Sequence, residues 1–212
     1  MGKTSVPLPR RMWAAGSAQR FRDLVIGQPA HRISTIKSVE LKEGSTGRLV
    51  FVTVDHQILQ QDELCIQQQQ DIVYREQPIA ATALPAGKSP PEHADWQQTI
   101  TPDPILLFRF SALTYNGHRI HYDRNYAVAE EFYPALVVHG PLLVTLLFEL
   151  QRNQAAEAVI NRFNFKAVRP TFDSHPFQLF GKLLGDQLVL WSVDKDGALC
   201  MKIEAGLASA LG

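Results

Sequence analysis

The chain has 212 residues, 45% apolar and 20% charged, with 21 basic and 21 acidic side chains. That make-up belongs to a globular protein of one or two domains with room for a substantial core. The balanced charge speaks against a dedicated nucleic-acid binder, and no run approaches the roughly 18 apolar residues that cross a membrane.

The opening stretch, "MGKTSVPLPRRMW", lacks the apolar centre of a secretory signal. Cys65 and Cys200 lie in apolar or alternating runs with no second thiol nearby, the pattern of buried structural cysteines. A reduced, cytoplasmic protein is expected.

The first part of the chain reads as strands. "HRISTIKSVEL" (His31 to Leu41), "GRLVFVTVDHQI" (Gly47 to Ile58) and "LCIQQQQDIVY" (Leu64 to Tyr74) are extended runs rich in Val and Ile. No long helix is expected there. Residues 77–104 hold six of the thirteen prolines and read as a connection, because proline removes backbone donors and restricts the residue before it.

The second part differs. "GPLLVTLLFELQRNQ" opens with Gly-Pro, and proline suits the first turn of a helix. Its apolar residues occupy nearly every side, so the helix should be buried. "PFQLFGKLL", "QLVLWSVDK" and "LCMKIEAGL" follow as three short strands separated by turn residues. The halves also echo each other. "QRFRDLVIGQP" parallels "NRFNFKAVRP", pairing Phe21 with Phe163, and Cys65 parallels Cys200, which predicts an internal duplication of a sheet unit.

Polar chemistry concentrates in "NGHRIHYD", Asn116 to Asp123, and in "HGP", His139 to Pro141. Metal binding by His118, His121, Asp123 and His139 is one reading, but no cysteine accompanies them and Gly117 disfavours a helix, so no metal is expected. A serine hydrolase is another, yet Ser111 stands in "FSALT" without a Gly-x-Ser-x-Gly elbow. The third is acid–base work by an imidazole, whose ordinary pKa is near neutrality. Gly140 would present an N–H at the positive end of the buried helix, where it could stabilise charge developing on a carbonyl oxygen. Asp123 precedes "RNYAVAEE" and suits the N-cap of a short helix.

"FSALTYNGHRIHYDRNYAVAEEFYPALVVHGPLLVTLL" resembles the hydratase 2 motif of the MaoC-like double-hot-dog dehydratases and hydratases. That group includes mesaconyl-C4-CoA and itaconyl-CoA hydratases and mitochondrial-type 3-hydroxyacyl-thioester dehydratases. "PLPRRMWAAGS", "LVFVTV" and "DIVYRE" also resemble its first half, so the likeness covers most of the chain. The resemblance implies an α+β double hot-dog, a curved antiparallel sheet around a buried helix. Residues 1–76 would be a shortened N-terminal repeat without its helix, 77–104 a Pro-rich linker and 105–212 the catalytic repeat.

The family motif has an Asp five residues before its catalytic His and an Asn three before it. The match places His121 as that His and Gly140 as the carbonyl-polarising amide. Asn116 stands where the Asp would be and His118 where the Asn would be. An amide orients water or substrate but does not accept a proton as a carboxylate does. The resemblance therefore implies catalysis by His121, Asn116 and Gly140. His118, Arg119 and His139 are candidates for substrate binding, and a planar guanidinium at Arg119 suits a carboxylate or a carrier phosphate.

The implied function is reversible hydration and dehydration of an enoyl or 3-hydroxyacyl thioester of coenzyme A or acyl carrier protein. A dicarboxylyl-CoA such as mesaconyl- or itaconyl-CoA is among the candidates, and no cofactor is implied. The alternatives are an acyl-CoA thioesterase and a non-catalytic acyl-thioester-binding or partner subunit. A homodimer is expected, since hot-dog proteins bury strand edges by pairing. Nucleic acid and membrane partners are not expected.

Overall fold

The structure, a computed structural model, describes residues 6–44, 47–77, 79–81, 83–84 and 86–208. Residues 1–5 of the opening stretch, Ser45 and Thr46 of the turn at "KEGSTG", and Pro78, Thr82 and Pro85 of the Pro-rich connection lie outside the described residues. The chain divides into two compact units, Met1–Gln77 with Asn161–Asn164, and Pro78–Ile160 with Phe165–Gly212.

The first unit holds four antiparallel strands in the order β2-β3-β4-β1, with β1 Arg10–Arg20, β2 His31–Gly44, β3 Gly47–Gln60 and β4 Glu63–Arg75. Alternation sorts their side chains onto two faces. Val50 and Val52 turn to one face and form a small core with Leu8. On the other, Thr53 donates to Asp71 (2.9 Å), and Gln67 donates to Asp55 (3.2 Å). The Gln run is half-buried, and Gln67 bonds across to the neighbouring strand. No helix occurs among the described residues of this unit.

The second unit begins with β5, Trp96–Ile100, which pairs with β7, Phe177–Leu184. The sequence reading places no element there, because "WQQTI" is short and its inner residues are polar and exposed. Helix α1, Pro104–Leu113, follows. Asp103 caps it by accepting from the Leu106 N–H at 2.8 Å, and Pro104 sits in the first turn. A single 3-10 turn, Arg119–His121, leads to the short helix α2, Arg124–Ala129, whose N-cap Asp123 accepts from the Tyr126 N–H at 3.1 Å. The capping expectation for Asp123 holds.

Helix α3 spans Gly140–Gln154, as the Gly-Pro start and apolar run predict. It packs on β5, β7 (Phe177–Leu184), β8 (Gln187–Val193) and β9 (Leu199–Leu207). Leu142, Leu143, Leu147 and Leu150 of α3 are buried, as are Leu179, Leu188, Leu190 and Ile203 of the strands. Each such side chain contributes roughly 1.5–3 kcal/mol of transfer free energy, so this layer anchors the start of α3. The turns between these strands place Gly185 (φ 63°) and Gly197 (φ 76°) in the left-handed region.

The two units share one local hydrogen-bond pattern, in a register other than the one the motif pairing predicts. In the first unit the amides of Phe21 and Arg22 both donate to the Cys65 carbonyl; in the second, those of Val168 and Arg169 donate to the Cys200 carbonyl. Phe21 therefore corresponds to Val168 and not to Phe163. Strand β6, Ile160–Ala167, runs five residues further past the phenylalanine than β1 does, a length that motif matching alone does not register. Both thiols are free and buried. Among the described residues, no helix is long and apolar enough to cross a membrane.

Candidate active site

The site lies entirely in the second unit, where the 3-10 turn meets the start of α3. Residues 136–138 thread between two neighbours. The Val137 N–H donates to the Ile120 carbonyl (3.0 Å), and the Val138 N–H to the Thr171 carbonyl (2.8 Å). Asp173 fixes the same segment, accepting from the Leu136 N–H (3.1 Å) while paired with Arg124. Its side chain is 1% exposed.

His121 sits on this frame. Its Nδ1 is 2.7 Å from the Val137 carbonyl oxygen. A carbonyl only accepts, so Nδ1 carries the hydrogen and Nε2 of the neutral ring keeps a free lone pair. Burial holds the His121 pKa down at about 4; the Val137 bond opposes this, and nearby His118 adds to it. At neutral pH the imidazole is uncharged and able to take a proton at Nε2.

The His121 ring stacks on His139, with centroids 3.7 Å apart and planes 16° from parallel. His139 is the N-cap residue of α3, and Gly140 is the first residue of the helix. The stack therefore sets the base beside the amides that open α3. The first amides of a helix have no partner within it and carry partial positive charge, and Pro141 has no N–H. The first bond within α3 runs from the Leu143 N–H to the His139 carbonyl. Gly140 and Leu142 are the helical residues before that first bond that keep an N–H, and the Gly140 amide is the one next to His139.

His118 meets the His121 ring edge-on at 5.7 Å. Asn116 accepts from the His118 N–H through Oδ1 (3.1 Å), a local turn that shapes the loop and leaves its NH2 group to donate elsewhere. Arg119 is committed to its own turn. Its guanidinium donates twice to Asp123 Oδ2, at 3.0 and 2.6 Å, and lies 4.3 Å from the centre of the Tyr126 ring. The Tyr126 N–H and then Arg119 hold the Asp123 carboxyl below its ordinary range.

The structure thus brings the rings of His118, His121 and His139 together, with Gly140 next to His139 and Asn116 bonded to the His118 N–H, whereas Arg119 turns to Asp123 and Tyr126. Sequence reasoning did not assign two others a part here. Val137 acts through its backbone carbonyl, which no side chain announces. Ser111 on α1, set aside as a nucleophile, bonds His139 Nε2 at 2.8 Å. The three imidazoles stack and tilt rather than converge, and no group of three or more potential metal ligands is found among the described residues.

A helix buried against an antiparallel sheet is a fold this chain shares with solved MaoC-like dehydratases. A solved MaoC-like dehydratase from Phytophthora capsici superposes with a TM-score of 0.71, covering 96% of this chain and 75% of that one at 14% identity. At that identity the likeness speaks for the fold. The family model for hydroxyacyl-thioester dehydratase type 2 matches residues 1–173. The chain is 47% identical over 196 residues to the mesaconyl-C(4)-CoA hydratase of Chloroflexus aurantiacus, covering 92% of this chain and 70% of that protein. It is 38% identical over 122 residues to the mitochondrial hydroxyacyl-thioester dehydratase type 2 of Schizosaccharomyces pombe, covering 56% of this chain and 40% of that protein. The chain belongs to the hydroxyacyl-thioester dehydratase type 2 family.

Proposed function

We propose that the protein reversibly hydrates an enoyl thioester to a 3-hydroxyacyl thioester, with coenzyme A as the carrier and a C4-linked dicarboxylyl group such as mesaconyl as the first acyl group to test. The observation that carries this reading is His121, held neutral with its free lone pair beside the opening amide of α3. In the hydration direction, His121 Nε2 takes a proton from water as the oxygen adds to the β-carbon of the conjugated double bond. The electron pair moves onto the thioester oxygen, which the Gly140 N–H stabilises as an enolate. The imidazolium then returns the proton to the α-carbon, so atoms and charge balance over the cycle. The Asn116 NH2 group supports the water or the acyl chain by donating a hydrogen bond.

The similarity to a mesaconyl-C(4)-CoA hydratase supports the acyl group. His118 and Arg119 are the polar groups at the loop that would meet its distal carboxylate, Arg119 after exchanging one bond to Asp123. This chemistry calls for no cofactor beyond the substrate's own carrier. Two buried free thiols suit a reducing, cytoplasmic setting, and pairing of the exposed edge strand β2 suits a homodimer.

The test is an absorbance assay for loss of the conjugated thioester across a panel of enoyl-CoAs, including mesaconyl and itaconyl thioesters, with a thiol reagent run in parallel. Loss of conjugation without thiol release is expected. Thiol release would make the protein a thioesterase, and binding without turnover would make it an acyl-thioester-binding subunit.

A further inference from the structure

Ser111 and His139 form a buried polar pair that the chemistry above does not use. Ser111 projects from α1 and is 5% exposed; His139 caps α3 and has no exposed surface. Ser111 Oγ lies 2.8 Å from His139 Nε2. Among the described residues, His139 Nδ1 has no hydrogen-bond partner although it is buried. One edge of the ring meets Phe110, with centroids 4.9 Å apart at 60°, and one face meets His121 at 3.7 Å. A side chain with no exposed surface is placed to act on His121 rather than on a substrate.

We propose that Ser111 and His139 are positioning residues for the base: the Ser111 bond fixes the plane of the His139 ring, and that ring is the rigid, uncharged plate on which His121 stacks. The plate does three things. It sets the orientation of His121 together with the Val137 carbonyl, and it keeps water from one face of the base. By staying neutral it also avoids placing a second charge 3.7 Å from the imidazolium formed during turnover. Burial holds the His139 pKa down to about 3, with His121 and His118 adding to the effect, so the plate does not charge at neutral pH. The titratable groups facing His121 are His139, from the start of α3, and His118, from the turn.

This role rests on His121 being the base, and the test separates the two ideas. The variants are His139→Ala, His139→Phe and Ser111→Ala, read by nitrogen-resolved NMR titration of His121 without substrate and by kcat and KM for hydration. In His139→Ala, the His121 pKa should rise from about 4 toward 6.5 as the open face becomes wet. Its kcat should fall by roughly 10²-fold, the scale of a misplaced catalytic group, with KM little changed. His139→Phe retains an aromatic plate, so it should keep the His121 pKa low and recover most of the lost kcat. Ser111→Ala should lower kcat by several-fold without moving KM.

An unchanged His121 titration in folded His139→Ala overturns the proposal, as does His139→Phe behaving like His139→Ala. If His139→Ala does not fold, His139→Phe and Ser111→Ala decide: loss of stacking in the first, or full kcat in the second, overturns it. Full activity in His121→Ala would instead remove the base assignment, while the titration would still report whether the plate controls the His121 pKa.

Discussion

The His121 ring donates to the Val137 carbonyl at 2.7 Å, and the Val137 N–H in turn donates to the carbonyl of Ile120, the residue before the histidine. The pairing selects the tautomer, so Nε2 is the basic nitrogen and its direction is set by backbone. Replacing His121 with Ala should lower kcat/KM for hydration by roughly 10²–10⁴, the usual contribution of a positioned acid–base group. A variant that folds by circular dichroism yet turns over near the parent rate would refute the assignment.

The lowered pKa of His121 sets the pH behaviour. The base must be neutral, and burial holds it near 4, so kcat/KM should stay level from about pH 8 to pH 5 and fall as pH drops through about 4. An exposed imidazole would give that fall near 6.5 instead. Stability has the opposite origin but the same sign. In the unfolded chain His121 and His139 take up protons as pH falls below 6.5, while the folded protein keeps them neutral down to about 4 and about 3. Above 6.5 neither contributes any pH dependence. Below it, the pair should cost stability progressively as pH falls toward the folded pKa values. Thermal unfolding at pH 7.5, 5.5 and 4.5 should show Tm falling over both steps.

The legible parts of this fold are those with local signals. Gly140-Pro141 followed by a nearly all-round apolar run could only be the start of a buried helix, and glycine turns at Gly185 and Gly197 punctuate β7 to β9. Strand β1 was opaque because "RRMWAAGSAQR" mixes small and charged residues, and its pairing shifts register between Trp13 and Ala15. Helix α1 carries the Asp103-Pro104 start signal, but its exposed Ile105, Phe108 and Leu113 blur the apolar stripe. In the site, His121 and Gly140 were readable from type and spacing. The Val137 carbonyl and the Ser111–His139 contact were not, since they join residues 16 and 28 apart through backbone and tertiary packing.

Asn116 is where this chain departs from the carboxylate of the family motif, and its hydrogen bond makes the reverse substitution informative. Asn116→Asp keeps an oxygen to accept from the His118 N–H, so the turn should survive and Tm should change little. What disappears is the NH2 donor; what appears is a negative charge near His121. The expected result is a kcat reduced by several-fold, on the order of one lost hydrogen bond. The low-pH limb of the kcat/KM profile should also move upward, because a carboxylate favours the protonated imidazole. Parent-like kcat with an unmoved profile would show that Asn116 only shapes the loop.

Gly140→Pro isolates the electrophilic half of the site. Proline is tolerated in the first turn of a helix, and His139 at φ −61° and ψ 134° already has the extended backbone that a residue before proline requires. The first bond within α3, from the Leu143 N–H to the His139 carbonyl at 3.1 Å, does not involve the Gly140 amide. The substitution should therefore remove one N–H with little change in fold or Tm. If that amide carries the developing enolate charge, kcat should fall by roughly 10²–10³, the measured cost of deleting one such donor. Gly140→Ala keeps the N–H and is the control, expected to retain most of the parent kcat. Equal losses in the two variants would mean that the position needs space rather than a donor, and the oxyanion would have to be held elsewhere.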